Sequence, residues 1–215
     1  MNKVILFGKG SSIGQVILEN YDVVFATDRN WQGYSDDLGD SLRFIDELGS
    51  DTKYTIIYCS SILYSKNFGE QSNKEIHDSF HINTVVPIKI LRRLNENDGL
   101  KFNFHYIGSE SAKKGSYDCS YAMTKKAAQD YVINYRLKNA KSRSLVWAPS
   151  TMSRGMTAKR KDIQRLNNIR ESLRNKRFLT PEELVRMINL LDGEEFAYLS
   201  NTLIEVNDGK FSTLK

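Results

Sequence analysis

Residues 3–20 read KVILFGKGSSIGQVILEN. Lys3 to Phe7 is a short apolar run, Gly8 to Gly14 is a turn rich in glycine and serine, and QVILEN resumes an apolar pattern of helical period. Strand, tight turn and helix in that order make a unit whose backbone can approach a pyrophosphate, with the phosphates at the helix N-terminus. Gly8, Gly10 and Gly14 supply the turn and the close approach. Ser11 and Ser12 add hydroxyl donors, and the backbone through Ile13 completes the cradle. A glycine cluster alone is a weak signal; its weight here comes from the strand and helix that flank it.

Outward from that unit the alternation continues. Asp22 to Thr27 (DVVFAT) is a second strand, ending at Asp28 and Arg29. A carboxylate about 20 positions beyond the first glycine meets adenosine ribose hydroxyls, so Asp28 points to NAD, whereas Arg29 would grip the 2′-phosphate of NADP. The next helix is predicted over residues 41–48 with Asp40 as its N-cap. Tyr54 to Cys59 reads as a strand running into Ser60 and Ser61. Residues 72–94 read as one long helical segment, with Phe80, Val85, Ile88 and Leu91 at helical spacing and Asn83 between them. Phe102 to Ile107 and Ser144 to Trp147 are strands, residues 156–175 a helix with Ile163, Leu166, Ile169 and Leu173 on one face. Thr180 caps a last helix with Pro181 at its first position, and Leu203 to Val206 closes the chain's pattern. Such alternation predicts a single α/β domain over residues 1–215, a doubly wound parallel sheet.

Composition is that of an ordinary globular protein: 215 residues, 40% hydrophobic and 27% charged. The opening residues MNKVILFGKG contain too short an apolar run for a signal peptide, and no run approaches a membrane span. Cys59 and Cys119 have no paired spacing, which fits a reducing cytoplasm and no metal cage.

The chemistry is concentrated in residues 108–127, GSESAKKGSYDCSYAMTKKA. Tyr121 and Lys125 stand at i and i+4, one turn apart on one helix face. A phenol can pass a proton if its pKa is brought down from about 10, and an adjacent ammonium does that. Ser109, at the end of the strand before, can hydrogen-bond a carbonyl or alcohol at the same spot. With eleven tyrosines in the chain, a Tyr/Lys pair at this spacing arises about once by chance; the dinucleotide unit upstream is what gives it meaning.

With those motifs in order, the chain resembles a short-chain dehydrogenase/reductase along nearly its whole length. GKGSSIG (8–14) is similar to that family's glycine turn, with Ser12 in place of the middle glycine. DLGD (37–40) resembles the segment that contacts adenine, through Asp37 and Leu38. SNKEIHDSFHIN resembles the run that ends in the family's helix asparagine, here Asn83, while IGSES and YAMTKKA provide Ser109, Tyr121 and Lys125. WAPST is similar to the turn over the nicotinamide, bringing Pro149, Ser150 and Thr151 to the cofactor, and FLTPEEL and LIEVNDG resemble the closing segments. The resemblance implies Tyr121 as general acid/base and Lys125 as the group that lowers its pKa and holds the nicotinamide ribose. Ser109 then polarises the carbonyl oxygen, and Asn83 supports a relay water. There are departures. The helix between the family's second and third strands is missing, and the family's Asn-Asn-Ala-Gly turn is replaced by Tyr58-Cys59-Ser60-Ser61, of which Cys59, Ser60 and Ser61 would line the cofactor. Ser150 replaces a glycine, and Arg154 stands where a threonine commonly meets the carboxamide, with Thr151 or Ser153 as substitutes.

The function implied is an NAD(P)-dependent oxidoreductase interconverting a carbonyl and a secondary alcohol. A nucleotide-sugar reductase, epimerase or dehydratase of the same fold, and a non-catalytic NAD(P)-binding regulatory protein, are the alternatives. The resemblance also implies a homodimer or homotetramer built through the helices bearing Asn83 and Tyr121. Residues 153–177 carry a net formal charge of +7 against +5 for the whole chain, on a segment that in the family is the lid, about residues 150–177. That density is either a solvated face or a field that draws in an anionic small-molecule substrate; no aromatic platform accompanies it, which argues against nucleic acid.

Overall fold

The computed structural model describes residues 2–28, 38–156 and 162–211. Arg29 and Asp37 therefore lie outside the described residues, as do Lys159, Arg160 and Lys161 of the basic segment. Among the described residues six strands form one sheet: β1 (Lys3–Phe7), β2 (Val23–Thr27), β3 (Lys53–Tyr58), β4 (Lys101–Ile107), β5 (Arg143–Pro149) and β6 (Thr202–Val206). Their order is β2-β1-β3-β4-β5-β6, and every neighbouring pair is parallel.

The four inner strands are buried along nearly their whole length, because helices cover both faces and each residue of KVILF or SLVWAP needs an apolar partner. The pleat sorts them. Val4, Leu6 and Ile57 meet helices α1 (Ser12–Asn20) and α8 (Pro181–Leu191). Ile5, Phe7, Ile56, Phe102 and Phe104 meet the layer of α2 (Gly39–Asp46), α4 (Val86–Glu96) and α6 (Cys119–Asn134). From β1 the chain passes to β2 on one side, and β3 lies on the other. The C-terminal ends of β1 and β3 therefore border the crevice where ligands of open α/β sheets sit.

Three local readings change. Asp40 is not the N-cap of α2: the helix begins at Gly39, the cap position is Leu38, and Asp40 lies in the first turn paired with Arg43. Leu38 is 2% exposed within the core, and anchoring that side chain sets where the helix starts. The helix over 156–175 is shorter, α7 (Ile163–Ser172), and Ile163 is 67% exposed rather than on a core face; only Leu173, just past the helix, is buried.

The long segment 72–94 is α3 (Asn73–Phe80), one π turn (His81–Val85) and α4. Pro87 explains the interruption. It has no N–H to return to the preceding turn, and the Val86 N–H bonds five back, to the His81 carbonyl. The carbonyls of Ile82 and Asn83 are instead met from the sheet, by the hydroxyls of Tyr58 (2.5 Å) and Tyr106 (2.8 Å).

At the opposite end of the strands, the C-cap residue of α8, Asp192, is the acceptor of a buried network. Asn2, Thr55, Asn103 and His105 all reach its carboxylate, at 3.0, 2.6, 2.6 and 2.9 Å. The Trp147 indole donates to His105 Nδ1 at 3.0 Å. Burial pushes the Asp192 carboxyl up, but the hydrogen bonds from His105, Thr55 and Asn103 outweigh it and hold the group below the usual carboxylate range. Asp192→Ala is expected to lower unfolding free energy by roughly 3 kcal/mol near neutral pH, because several buried donors lose their acceptor. A carboxyl depressed in the folded state contributes fully above its unfolded value of 3.8 and less as pH falls further. Urea denaturation should therefore show the deficit of the variant narrowing between about pH 7 and about pH 3.

Candidate active site

The first half of the site is the β1–α1 turn. Gly8 and Lys9 donate to the Thr27 carbonyl (2.8 and 3.1 Å), which ties the turn to the end of β2. Ser11 is the N-cap of α1: its Oγ accepts from Gly14 N at 2.9 Å and donates to Cys59 Sγ at 3.2 Å. Gly8 has φ +109°, and a Cβ there would lie 2.5 Å from Ser60 N, so glycine is required both for the turn and for the approach of β3. A Cβ on Gly10 would lie 2.3 Å from Asp28 Oδ2. The carboxylate that follows β2 is thus seated directly against the glycine turn. Burial pushes the Cys59 thiol up to about 11, so it stays protonated in the floor of the turn.

A dinucleotide fits this lining. The N-terminus of α1, flanked by Ser12, opens at the crevice. The Ser60 and Ser150 hydroxyls, at the ends of β3 and β5, are buried without a hydrogen-bond partner among the described residues. Such groups are rare in a finished interior and suit a bound polar molecule. Pro149 and Thr151 flank Ser150 at this edge, whereas the Leu38 side chain faces the core.

The second half is carried by β4, α6 and the π turn. Ser109 follows the end of β4, and its N–H donates to Gln129 Oε1 at 2.9 Å. The Ser109 hydroxyl and that of Ser61, from the loop after β3, are the nearby polar groups that favour ionisation of the Tyr121 phenol. Tyr121 is held in place by Asp118, the N-cap of α6, whose Oδ1 accepts from Tyr121 N at 2.9 Å. The same carboxylate also accepts from Tyr64 N (2.8 Å), Ser65 N (3.2 Å) and the Gln71 side chain (2.8 Å), so it fastens the loop after β3 to the start of the helix. Asn83 is buried with its amide fully used. Oδ1 accepts from Ser61 Oγ (3.0 Å) and Ile62 N (2.9 Å), and Nδ2 donates to Ile62 O (3.0 Å) and Thr124 Oγ1 (3.0 Å).

Lys125 lies on the Tyr121 face of α6, as the spacing predicts, with Nζ 6.0 Å from the Tyr121 ring centroid and 4.8 Å from that of Tyr106. Its ammonium donates to the Ile107 carbonyl at 2.8 Å. Burial pulls its pKa down to about 7. Burial also pushes the Tyr121 phenol up; the Ser109 and Ser61 hydroxyls pull it back, while Asp118 and Glu110 oppose ionisation.

The structure places Asn83, Ser109, Tyr121 and Lys125 at the C-terminal end of the sheet, with Gly8, Gly10, Ser11, Ser12, Ile13, Gly14, Asp28, Cys59, Ser60 and Ser61 along the same edge. Asp118 and the pair Tyr58 and Tyr106 were not singled out in the sequence. Asp118 was readable as an N-cap three residues before Tyr121. Pro87, inside a helical pattern, was the signal that Asn83 would have a carbonyl to spare. Burial raises both Tyr58 and Tyr106 well above an ordinary phenol, so they remain donors to those carbonyls. In the basic segment Arg154, Arg170 and Arg177 pair with Glu182, Glu171 and Glu183, which offsets part of its charge.

A parallel, doubly wound sheet with a glycine turn at its crevice defines a Rossmann-like α/β fold. Among solved structures the chain is similar to a short-chain dehydrogenase/reductase, glucose/ribitol dehydrogenase, from Brucella melitensis (TM-score 0.82, 19% identity, 98% of this chain and 96% of that one). It is also similar to a short chain dehydrogenase family protein from Francisella tularensis (0.79, 16%, 98% and 98%) and a short-chain type dehydrogenase/reductase from Mycobacterium ulcerans (0.79, 14%, 97% and 89%). The chain therefore has the short-chain dehydrogenase/reductase fold. No protein-family model and no curated protein sequence matches it.

Lys125 is 1% exposed, and its depressed pKa has a consequence for stability. Between about 7 and 10.5 the unfolded chain holds a proton on this group that the folded chain does not, so stability rises with pH across that window. Lys125→Met removes the buried ammonium. Relative to wild type it should gain most near pH 6 and lose that gain towards pH 10, a change on the order of 3–5 kcal/mol. Chemical denaturation at both pH values checks it, and parallel profiles would show that the lysine is solvated.

Proposed function

We propose that this protein is an NAD(P)-dependent oxidoreductase of the short-chain dehydrogenase/reductase family that interconverts a carbonyl and a secondary alcohol. The observation that carries this reading is the buried Tyr121 on one face of α6 with Lys125, whose Nζ lies 6.0 Å from the phenol ring centroid, with Ser109 at the end of β4. The fold's family resemblance supports a nicotinamide cofactor, which would supply or accept the hydride. Gly8 to Gly14 and the N-terminus of α1 would hold its pyrophosphate, and Ser60 and Ser150 would offer their unpartnered hydroxyls.

In the reducing direction Tyr121 gives its proton to the carbonyl oxygen as that oxygen becomes negative, and in the oxidising direction it takes the proton from the alcohol. Ser109 holds the same oxygen by its hydroxyl and fixes the substrate's orientation. Asp118 keeps the first turn of α6 in place, so the phenol meets the substrate at one position. Lys125 supplies positive charge in a site with little water, where charge acts strongly. The lining of Asp28 against Gly10 supports NAD over NADP, since a carboxylate there repels a 2′-phosphate. The substrate is a small carbonyl compound.

Tyr121→Phe should bind NADH within about threefold of wild type, by fluorescence titration, and lose kcat by about 10²–10⁴-fold on a carbonyl panel. Turnover retained by that variant would remove the proton-transfer role. Asp28→Ala is expected to weaken NADH several-fold more than NADPH; equal losses, or a wild-type preference for NADPH, would move the discrimination to Arg29.

A further inference from the structure

Tyr106 and Ile107 are neighbours at the end of β4, and together they hold the tip of Lys125. The ammonium donates to the Ile107 carbonyl at 2.8 Å and lies over the Tyr106 ring, 4.8 Å from its centroid. That is inside the ~6 Å reach of a cation over an aromatic face, and nearer than the 6.0 Å to the ring of Tyr121. An ammonium has three N–H groups to place, and among the described residues this one has a single hydrogen-bond acceptor. The Tyr106 face is its other close contact.

The ring cannot turn away from the lysine. Its hydroxyl donates to the Asn83 carbonyl at 2.8 Å. The ring also stacks with Tyr58, 6.0 Å between centroids and 21° between planes, and Tyr58 is itself tied to the Ile82 carbonyl. Both tyrosines are fully buried. An aromatic face suits this place better than a carboxylate. A carboxylate beside Lys125 would hold the ammonium but cancel its field at Tyr121, whereas a ring attracts a cation through its quadrupole and carries no net charge. The titratable groups facing Lys125 are Tyr121 on its own helix, Tyr106 on β4 and Cys59 just past β3. Burial keeps all three protonated near neutral pH.

We infer that Tyr106 is a positioning residue: its ring face, anchored by the hydroxyl on Asn83, seats the Lys125 ammonium beside Tyr121 without neutralising it. This rests on the reading of Tyr121 as the proton donor and acceptor with Lys125 as its charge. It gives β4 a part in the site that the Tyr121/Lys125 spacing does not contain. Through the Asn83 carbonyl, the π turn then fixes the lysine as well as the asparagine.

The test reads Lys125 itself and needs neither cofactor nor substrate. The full chain carries isotope-labelled lysine for carbon NMR, and the Lys125 resonance is assigned by its loss in Lys125→Met. Tyr106→Phe is compared with two forms of the same variant whose introduced ring carries two or five fluorines. Fluorine strips negative charge from the ring face and changes its shape little, so a ring that only fills space gives one midpoint throughout. The Lys125 titration midpoint, about 7 in wild type, is expected to fall stepwise with fluorination, by about 0.5–1.5 pH units over the series. If those variants do not fold, wild type is compared with the chain carrying difluorotyrosine at position 106, which keeps the hydroxyl on Asn83, and the same fall is expected. A midpoint that stays constant or rises with fluorination overturns the inference. Turnover by Tyr121→Phe tests the reading on which it rests, so the two failures are separate.

Discussion

The amide of Asn83 joins the three pieces of chain that carry the candidate chemistry. One side holds the loop after β3 through Ser61 and Ile62, the other holds α6 through Thr124, and the backbone carbonyl takes the hydroxyl of Tyr106 from β4. Every polar atom of the side chain is used, as burial demands. A side chain this constrained has one workable orientation, and the elements bonded to it inherit that definition. Its carbonyl is available to Tyr106 because Pro87 gives no N–H to that turn. A proline in α4 thus reaches the site through a π turn, two carbonyls and two strand tyrosines.

Carboxylates, one buried and one partly buried, do similar work at the two ends of the sheet. Asp118, at the crevice, gathers backbone N–H groups of the β3 loop and of α6, and so fastens that loop to the turn that carries Tyr121. Asp192, at the far end, gathers side chains from β3 and β4 under the C-terminus of α8. Each has enough donors to make up for lost hydration. Lys125 is the contrast. It has one carbonyl and two aromatic rings near its ammonium, which does not replace water, and its pKa falls to about 7. A charge kept at such expense beside a phenol is a common sign of a site rather than of a core.

Much of this was legible in the chain. Apolar runs such as KVILF and FNFHYI, separated by helical periods, are enough for a parallel sheet, since strands buried on both faces need continuous hydrophobicity. The glycine turn and the Tyr121/Lys125 spacing are local, and so survive reading in one dimension. Thr180 with Pro181 was equally local, and the capping box there is formed as its residues imply. Asp40 misled because a capping residue type is only a tendency, whereas Leu38 is held by a core that no window of sequence contains.

The sequence by itself determined the strand and helix order, the glycine turn, and the identity of the residues that gather at the crevice. These follow from periodicity and from backbone freedom, which are properties of neighbours along the chain. Tertiary structure alone decided which hydroxyl meets which acceptor. Tyr64 and Asp118 are 54 positions apart and Asn83 and Thr124 are 41 apart, and nothing local specifies their distance. Their contacts exist because parallel strands deliver every β-to-α turn to the same edge, where burial removes water and makes each remaining hydrogen bond obligatory.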